Sequence, residues 1–112
     1  MNDENLPFWR LFGLAVKAGR VISGSDAVES AIRRQKGPLL IIANDVSQAS
    51  TQRFLRLAQS HQIDVVMAGD KETMGHWSGK AVRAAALITE AGFAKRLKEL
   101  AESAAGPEDK GE

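Results

Sequence analysis

Leu39-Leu40-Ile41-Ile42-Ala43 is a continuous apolar run, entered from the turn residues Lys36-Gly37-Pro38 and left through Asn44-Asp45-Val46-Ser47. An unbroken apolar run of this length, without alternation, describes a strand covered on both faces, and helices supply such cover. The flanks agree. Upstream, Ala27, Val28, Ala31 and Ile32 recur at helical spacing behind Gly24-Ser25-Asp26, which is suited to opening a helix. Downstream, Ser47 leads into a helical pattern through Phe54, Leu55, Leu57 and Ala58, closed at His61-Gln62.

Farther out the alternation continues. Asn5-Leu6-Pro7 offers a cap and a first-turn proline to a helix carrying Phe8, Leu11, Phe12, Leu14, Ala15 and Ala18 and ended by Gly19. Arg20-Val21-Ile22 reads as a short strand, and Val65-Val66-Met67-Ala68 as another. Asp70 is placed to cap a short helix that stops at Gly79, before the loop Gly79-Lys80-Ala81-Val82-Arg83. Ala84-Ala85-Ala86-Leu87-Ile88 is a weak strand on propensity, supported by Thr89 as the expected cap of a last helix. That helix uses Phe93, Leu97, Leu100, Ala101 and Ala104 and is expected to fray beyond Gly106-Pro107. The expectation is an α/β protein: a three-layer α/β/α sandwich around a central four-stranded mixed sheet. Residues 1–105 form one domain and residues 106–112 a polar, disordered tail. The tryptophans divide, with Trp9 in the core beside Phe8 and Phe12 and Trp77 the more exposed of the two.

Composition narrows function. A chain of 112 residues with 44% apolar and 26% charged residues suits one folded domain. With no cysteine there is no disulfide, thiolate metal site or cysteine nucleophile, which suits the cytoplasm. An acidic Met1-Asn2-Asp3-Glu4-Asn5 start and the absence of an apolar run near the roughly 18 residues of a membrane span argue against secretion and membrane insertion. The net charge of +1 conceals an asymmetry: residues 1–98 hold 14 basic and 9 acidic side chains, while residues 99–112 hold five acids and Lys110. A basic body attracts polyanions, although a solvated surface can also carry such a surplus.

Enzyme chemistry finds no support. No dinucleotide-binding or P-loop glycine pattern and no nucleophile-elbow motif occurs. His61 and His76, the two histidines, lie far apart with no partners at ligand spacing, so both are expected at helix ends or on the surface, with no metal and no cofactor.

The run Leu11-Phe12-Gly13-Leu14-Ala15-Val16-Lys17-Ala18-Gly19-Arg20-Val21-Ile22-Ser23-Gly24 closely resembles the opening of the YlxQ-like bacterial proteins. These are a branch of the kink-turn-binding ribosomal protein superfamily, of L-seven-Ae and L-thirty-e type. Two further stretches agree: Leu39-Leu40-Ile41-Ile42-Ala43-Asn44-Asp45-Val46-Ser47, and Gly79-Lys80 through Thr89-Glu90-Ala91-Gly92-Phe93-Ala94. The resemblance implies the same sandwich, no catalysis, and binding of structured RNA. It further implies that the start of the second helix enters kinked RNA near tandem G·A pairs while the loop before the last strand covers a flipped-out nucleotide.

Carried over residue by residue, the candidate RNA-binding set is Lys17, Arg20, Gly24, Ser25, Asp26, Ser30, Lys80, Ala81, Val82 and Arg83. The chain also departs from its relatives. Kink-turn specialists carry a Gly-x-Asn-Glu pattern with a lysine farther along the helix, where this chain has Gly24-Ser25-Asp26-Ala27 and Ser30. An ionised Asp26 accepts hydrogen bonds but cannot donate, and Ala27 and Ser30 bring no charge. The expected partner is therefore structured, ribosomal RNA, bound by a monomer associated with the translation machinery, with ribosome-associated proteins as further candidate partners. The alternative is a protein-interaction module on the same fold that has lost kink-turn specificity.

Overall fold

The computed structural model describes residues 5–110, with side chains described for residues 5–103, so Ala104 and the acidic side chains beyond it lie outside the described residues. The chain alternates helix and strand: α1 Leu6–Lys17, β1 Val21–Ser23, α2 Ser25–Arg33, β2 Leu39–Ile42, α3 Gln48–Ser60, β3 Asp64–Met67, α4 Lys71–Ser78, β4 Ala85–Ile88 and α5 Ala91–Lys110. The strands form one mixed sheet in the order β1-β4-β2-β3. β2 pairs parallel with β3, and β4 runs antiparallel to both β1 and β2.

Every residue of β2 is buried, as its unbroken apolar run requires. Its side chains alternate between two cores. Leu39 and Ile41 pack with Phe8, Trp9, Phe12, Met74 and Leu97, whereas Leu40 and Ile42 pack with Val28, Ile32, Phe54 and Ala58. Helices α1, α4 and α5 therefore cover one face and α2 and α3 the other, which makes the expected three-layer sandwich. The alanine-rich β4 is a strand despite weak propensity because it lies between β1 and β2, with Ala85 and Ala86 set opposite Ile42 and Ile41. Packing against large neighbours overrides intrinsic preference there. Among the described residues no helix is long and apolar enough to cross a membrane.

Several local expectations are corrected. Asn5 does not cap α1 with its side chain; it adopts a left-handed backbone at φ 63°, and its Nδ2 donates to the Leu100 carbonyl at 3.3 Å, tying α1 to α5. Thr89 does not cap α5, because its N–H is still engaged with the Arg20 carbonyl at 2.9 Å. The cap is Glu90, whose Oε1 accepts from the Phe93 N–H at 2.7 Å. Trp77 is, as expected, the more exposed of the two tryptophans, though still half-buried: a Cβ on Gly13 would lie 3.1 Å from its Cε3, so the bare glycine lets the indole lie on α1. Helix α5 runs to Lys110, past Gly106-Pro107, where the sequence predicts its end. A proline removes one helical hydrogen bond without requiring the backbone to leave helical φ.

Asp70 caps α4 as expected, its Oδ1 accepting from the Thr73 N–H at 2.7 Å. This hydrogen bond from the Thr73 backbone holds the carboxyl below its ordinary pKa. A carboxylate whose folded pKa is depressed stabilises the fold above its unfolded pKa and loses that contribution as pH falls through the folded value. Asp70→Ala is thus expected to lower the urea midpoint at neutral pH, with the difference from the parent shrinking as pH falls through and below the ordinary carboxylate range. A constant difference across that range would show that the cap acts without its charge.

Candidate nucleic-acid interface

The end of β1, the start of α2 and the segment entering β4 meet at one end of the sheet. The Gly24 N–H donates to the Ala85 carbonyl at 3.1 Å, and Gly24 holds φ 101°, a backbone that L side chains rarely adopt. The N-cap position of α2 is Gly24, which has no side chain to cap the helix. Its first N–H groups, on Ser25, Asp26 and Ala27, accordingly have no partner within the helix, and they sit at its positive dipole end. Asp26 and Ser30 are exposed on the first turns, while Ser25 is half-buried.

Arg83 joins this helix start to the loop. Its Nε donates to Ser23 Oγ at 3.0 Å and its Nη1 to the Val82 carbonyl at 3.2 Å. A Cβ on Gly24 would lie 3.8 Å from the Arg83 guanidinium carbon, so the cation lies directly beside the glycine.

The loop itself is laid along α4. Lys80 N–H donates to the Gly75 carbonyl at 2.8 Å and Arg83 N–H to the Lys71 carbonyl at 3.0 Å. A Cβ on Gly75 would stand 2.5 Å from the Ala81 carbonyl oxygen and 2.7 Å from the Val82 Cα. The loop is therefore seated in the space of a missing side chain, leaving Lys80, Ala81 and Val82 exposed, Val82 by 51%.

The structure thus brings Gly24, Ser25, Asp26 and Arg83 together and puts Lys80, Ala81 and Val82 on the adjoining loop. It separates Arg20. β1 is antiparallel to β4, so Arg20, beside Thr89, lies at the opposite end of the strand from Gly24, beside Ala85. About 13 Å of extended backbone divides them. Lys17 lies on neither element but in a groove between α1 and α4, which Gly79 also lines. Sequence reading missed Ser23, which holds Arg83, and Gly75, which seats the loop. A glycine inside a helix was the available signal for the second, since it marks a close approach of backbone.

Residues 10–98 match the ribosomal protein L7Ae/L30e/S12e/Gadd45 family. The chain belongs to this family. It is 26% identical over 94 residues, covering 84% of this chain and 94% of the relative, to the RNA-binding protein YlxQ of Bacillus subtilis (strain 168). To the RNA-binding protein YlxQ of Enterococcus faecium it is 27% identical over 103 residues, covering 91% of this chain and 99% of that one. The YlxQ-like resemblance read from the sequence holds.

Among solved structures, a Bacillus halodurans protein of unknown function superposes with a TM-score of 0.81 at 27% identity, covering 85% of this chain and 96% of that one. A Giardia lamblia 15.5kD RNA binding protein superposes with a TM-score of 0.75 at 15% identity, covering 93% of this chain and 92% of that one. At that identity the second likeness concerns the fold.

Proposed function

We propose that this family member is a non-catalytic RNA-binding protein that grips structured RNA, of ribosomal type, between the start of α2 and the loop of residues 79–83. The observation that carries this reading is Arg83, which binds Ser23 Oγ and lies beside Gly24, so that loop and helix start form one cationic surface. Two relatives of similar length bear the name RNA-binding protein, which supports RNA as the polyanion. The uncapped N–H groups of α2 bind phosphate, and Lys80 and Arg83 neutralise it. Val82 covers an extruded base. Asp26 supplies acceptors only, so the protein reads standard kink-turns poorly. It works as a monomer in the cytoplasm, with the translation machinery.

Two measurements test the surface with a structured ribosomal RNA fragment. The double variant Lys80→Ala, Arg83→Ala is expected to weaken binding and to flatten the dependence of log K on log salt by about 1.8, roughly 0.9 for each phosphate contact removed. A folded variant with unchanged affinity and slope would show that the surface is misassigned. Val82→Asp is expected to weaken binding about tenfold, in keeping with the roughly 1–3 kcal/mol of a stacked base. Because Val82 is 51% exposed, folding should be unaffected, and parent-like affinity would eliminate its capping role.

A further inference from the structure

Between α1 and α4 runs an open groove of about 600 Å³. Its floor includes the half-buried Trp77, packed over Gly13, and its rim includes Leu14, which is 57% exposed. Arg10, Leu14 and Lys17 follow one another at helical spacing, so a cation stands on each side of the leucine along one stripe of α1. His76 stands edge-on to Trp77, ring centroids 5.4 Å apart and planes at 90°. Among the described residues lining the groove none is acidic. An aromatic floor and a leucine rim between two cations suit a ligand that is flat, apolar in its middle and anionic at its ends.

We infer that this groove takes an unpaired nucleotide of the bound RNA, its base against Trp77 and Leu14 and its phosphates met by Arg10 and Lys17. The inference rests on the proposed function for the source of that nucleotide. Gly79 lines the groove and leads directly to Lys80, so a strand leaving the loop of residues 79–83 enters the groove without crossing an intervening element. That continuity favours a nucleotide over an acidic peptide with an apolar side chain, which would match the same charges. It also gives Lys17 a role away from the helix start, where sequence resemblance had grouped it.

The test uses the whole protein and a uridine tetramer. Trp9 is buried, so quenching of tryptophan emission reports on Trp77. The tetramer should quench, an abasic tetramer of equal charge should not, and Leu14→Glu should weaken the uridine response about tenfold, as expected for loss of base stacking. Leu14 is exposed, so that variant retains its core. Lys17→Ala should also weaken the response. Loss of structured-RNA binding in Arg83→Ala reads the proposed function separately, so each idea can fail alone. Absence of quenching, equal quenching by the abasic tetramer, indifference to Leu14→Glu, or quenching by an acidic leucine peptide in place of the tetramer would overturn the inference.

Discussion

Gly75→Val is expected to lower the stability of the protein by about 3 kcal/mol, the upper part of the range for overpacking, and to abolish its grip on structured RNA. Two effects compete at this position. Removing a glycine from a helix interior favours folding by up to about 1 kcal/mol. Against that, a Cβ would meet the Ala81 carbonyl oxygen at 2.5 Å and the Val82 Cα at 2.7 Å, both of them backbone. A flexible side chain could turn away; this backbone can only move as a piece. Moving it breaks the Lys80 N–H bond to the Gly75 carbonyl and the Arg83 N–H bond to the Lys71 carbonyl, and withdraws the guanidinium from Ser23. The clash therefore outweighs the propensity gain, with Gly75→Ala following the same direction more weakly. In urea the valine variant should unfold about 1–3 M earlier, since a chain of this size loses roughly 1–3 kcal/mol per molar. Midpoints equal to the parent would mean that the loop does not depend on its seat.

The layers of the fold were legible because they depend on periodicity. The run at Leu39 to Ala43 required cover on two faces, and the helical spacing around Phe8, Phe12, Ile32 and Phe54 supplied it. What escaped was set by partners distant in sequence. Asn5 has the composition of a cap, yet its amide serves the Leu100 carbonyl, and nothing near Asn5 in the chain announces that contact. Thr89 has the composition of a cap, yet it bonds to Arg20 across β1 and β4, and the cap falls to Glu90 one residue later. The seat of Trp77 on α1 depends on Gly13, far away in the chain.

The candidate site divides in the same way. Gly24 was legible, because a glycine ahead of a helix marks unusual backbone, and it holds φ 101°. Arg83 was legible as a cation but not as the link to Ser23, which depends on β1 and β4 being paired. Arg20 was misgrouped with the helix start because it is near in sequence, whereas an extended strand carries it to the other end of the sheet.

Introducing Asp26→Asn, Ala27→Glu and Ser30→Lys together is expected to raise affinity for a kink-turn RNA by about a hundredfold, the equivalent of two base contacts at the low end of 1–3 kcal/mol each. All three positions are exposed on the first turns of α2, so the core is untouched. Removing the acid at Asp26 weakens the dipole interaction by roughly 0.3–1 kcal/mol, and the glutamate introduced at Ala27 restores an acid to the same turn. Asparagine brings the donor that a carboxylate lacks, and the lysine, three residues from that glutamate on one helix face, is held by it near the RNA. The three changes add one net positive charge, so simple phosphate attraction would raise the salt slope by about 0.9 and fade at high salt. Reading of G·A edges would persist there. Titration of a labelled kink-turn at two salt concentrations separates these effects: nanomolar binding by the parent, or no gain in the triple variant, would refute the argument that Asp26 limits recognition.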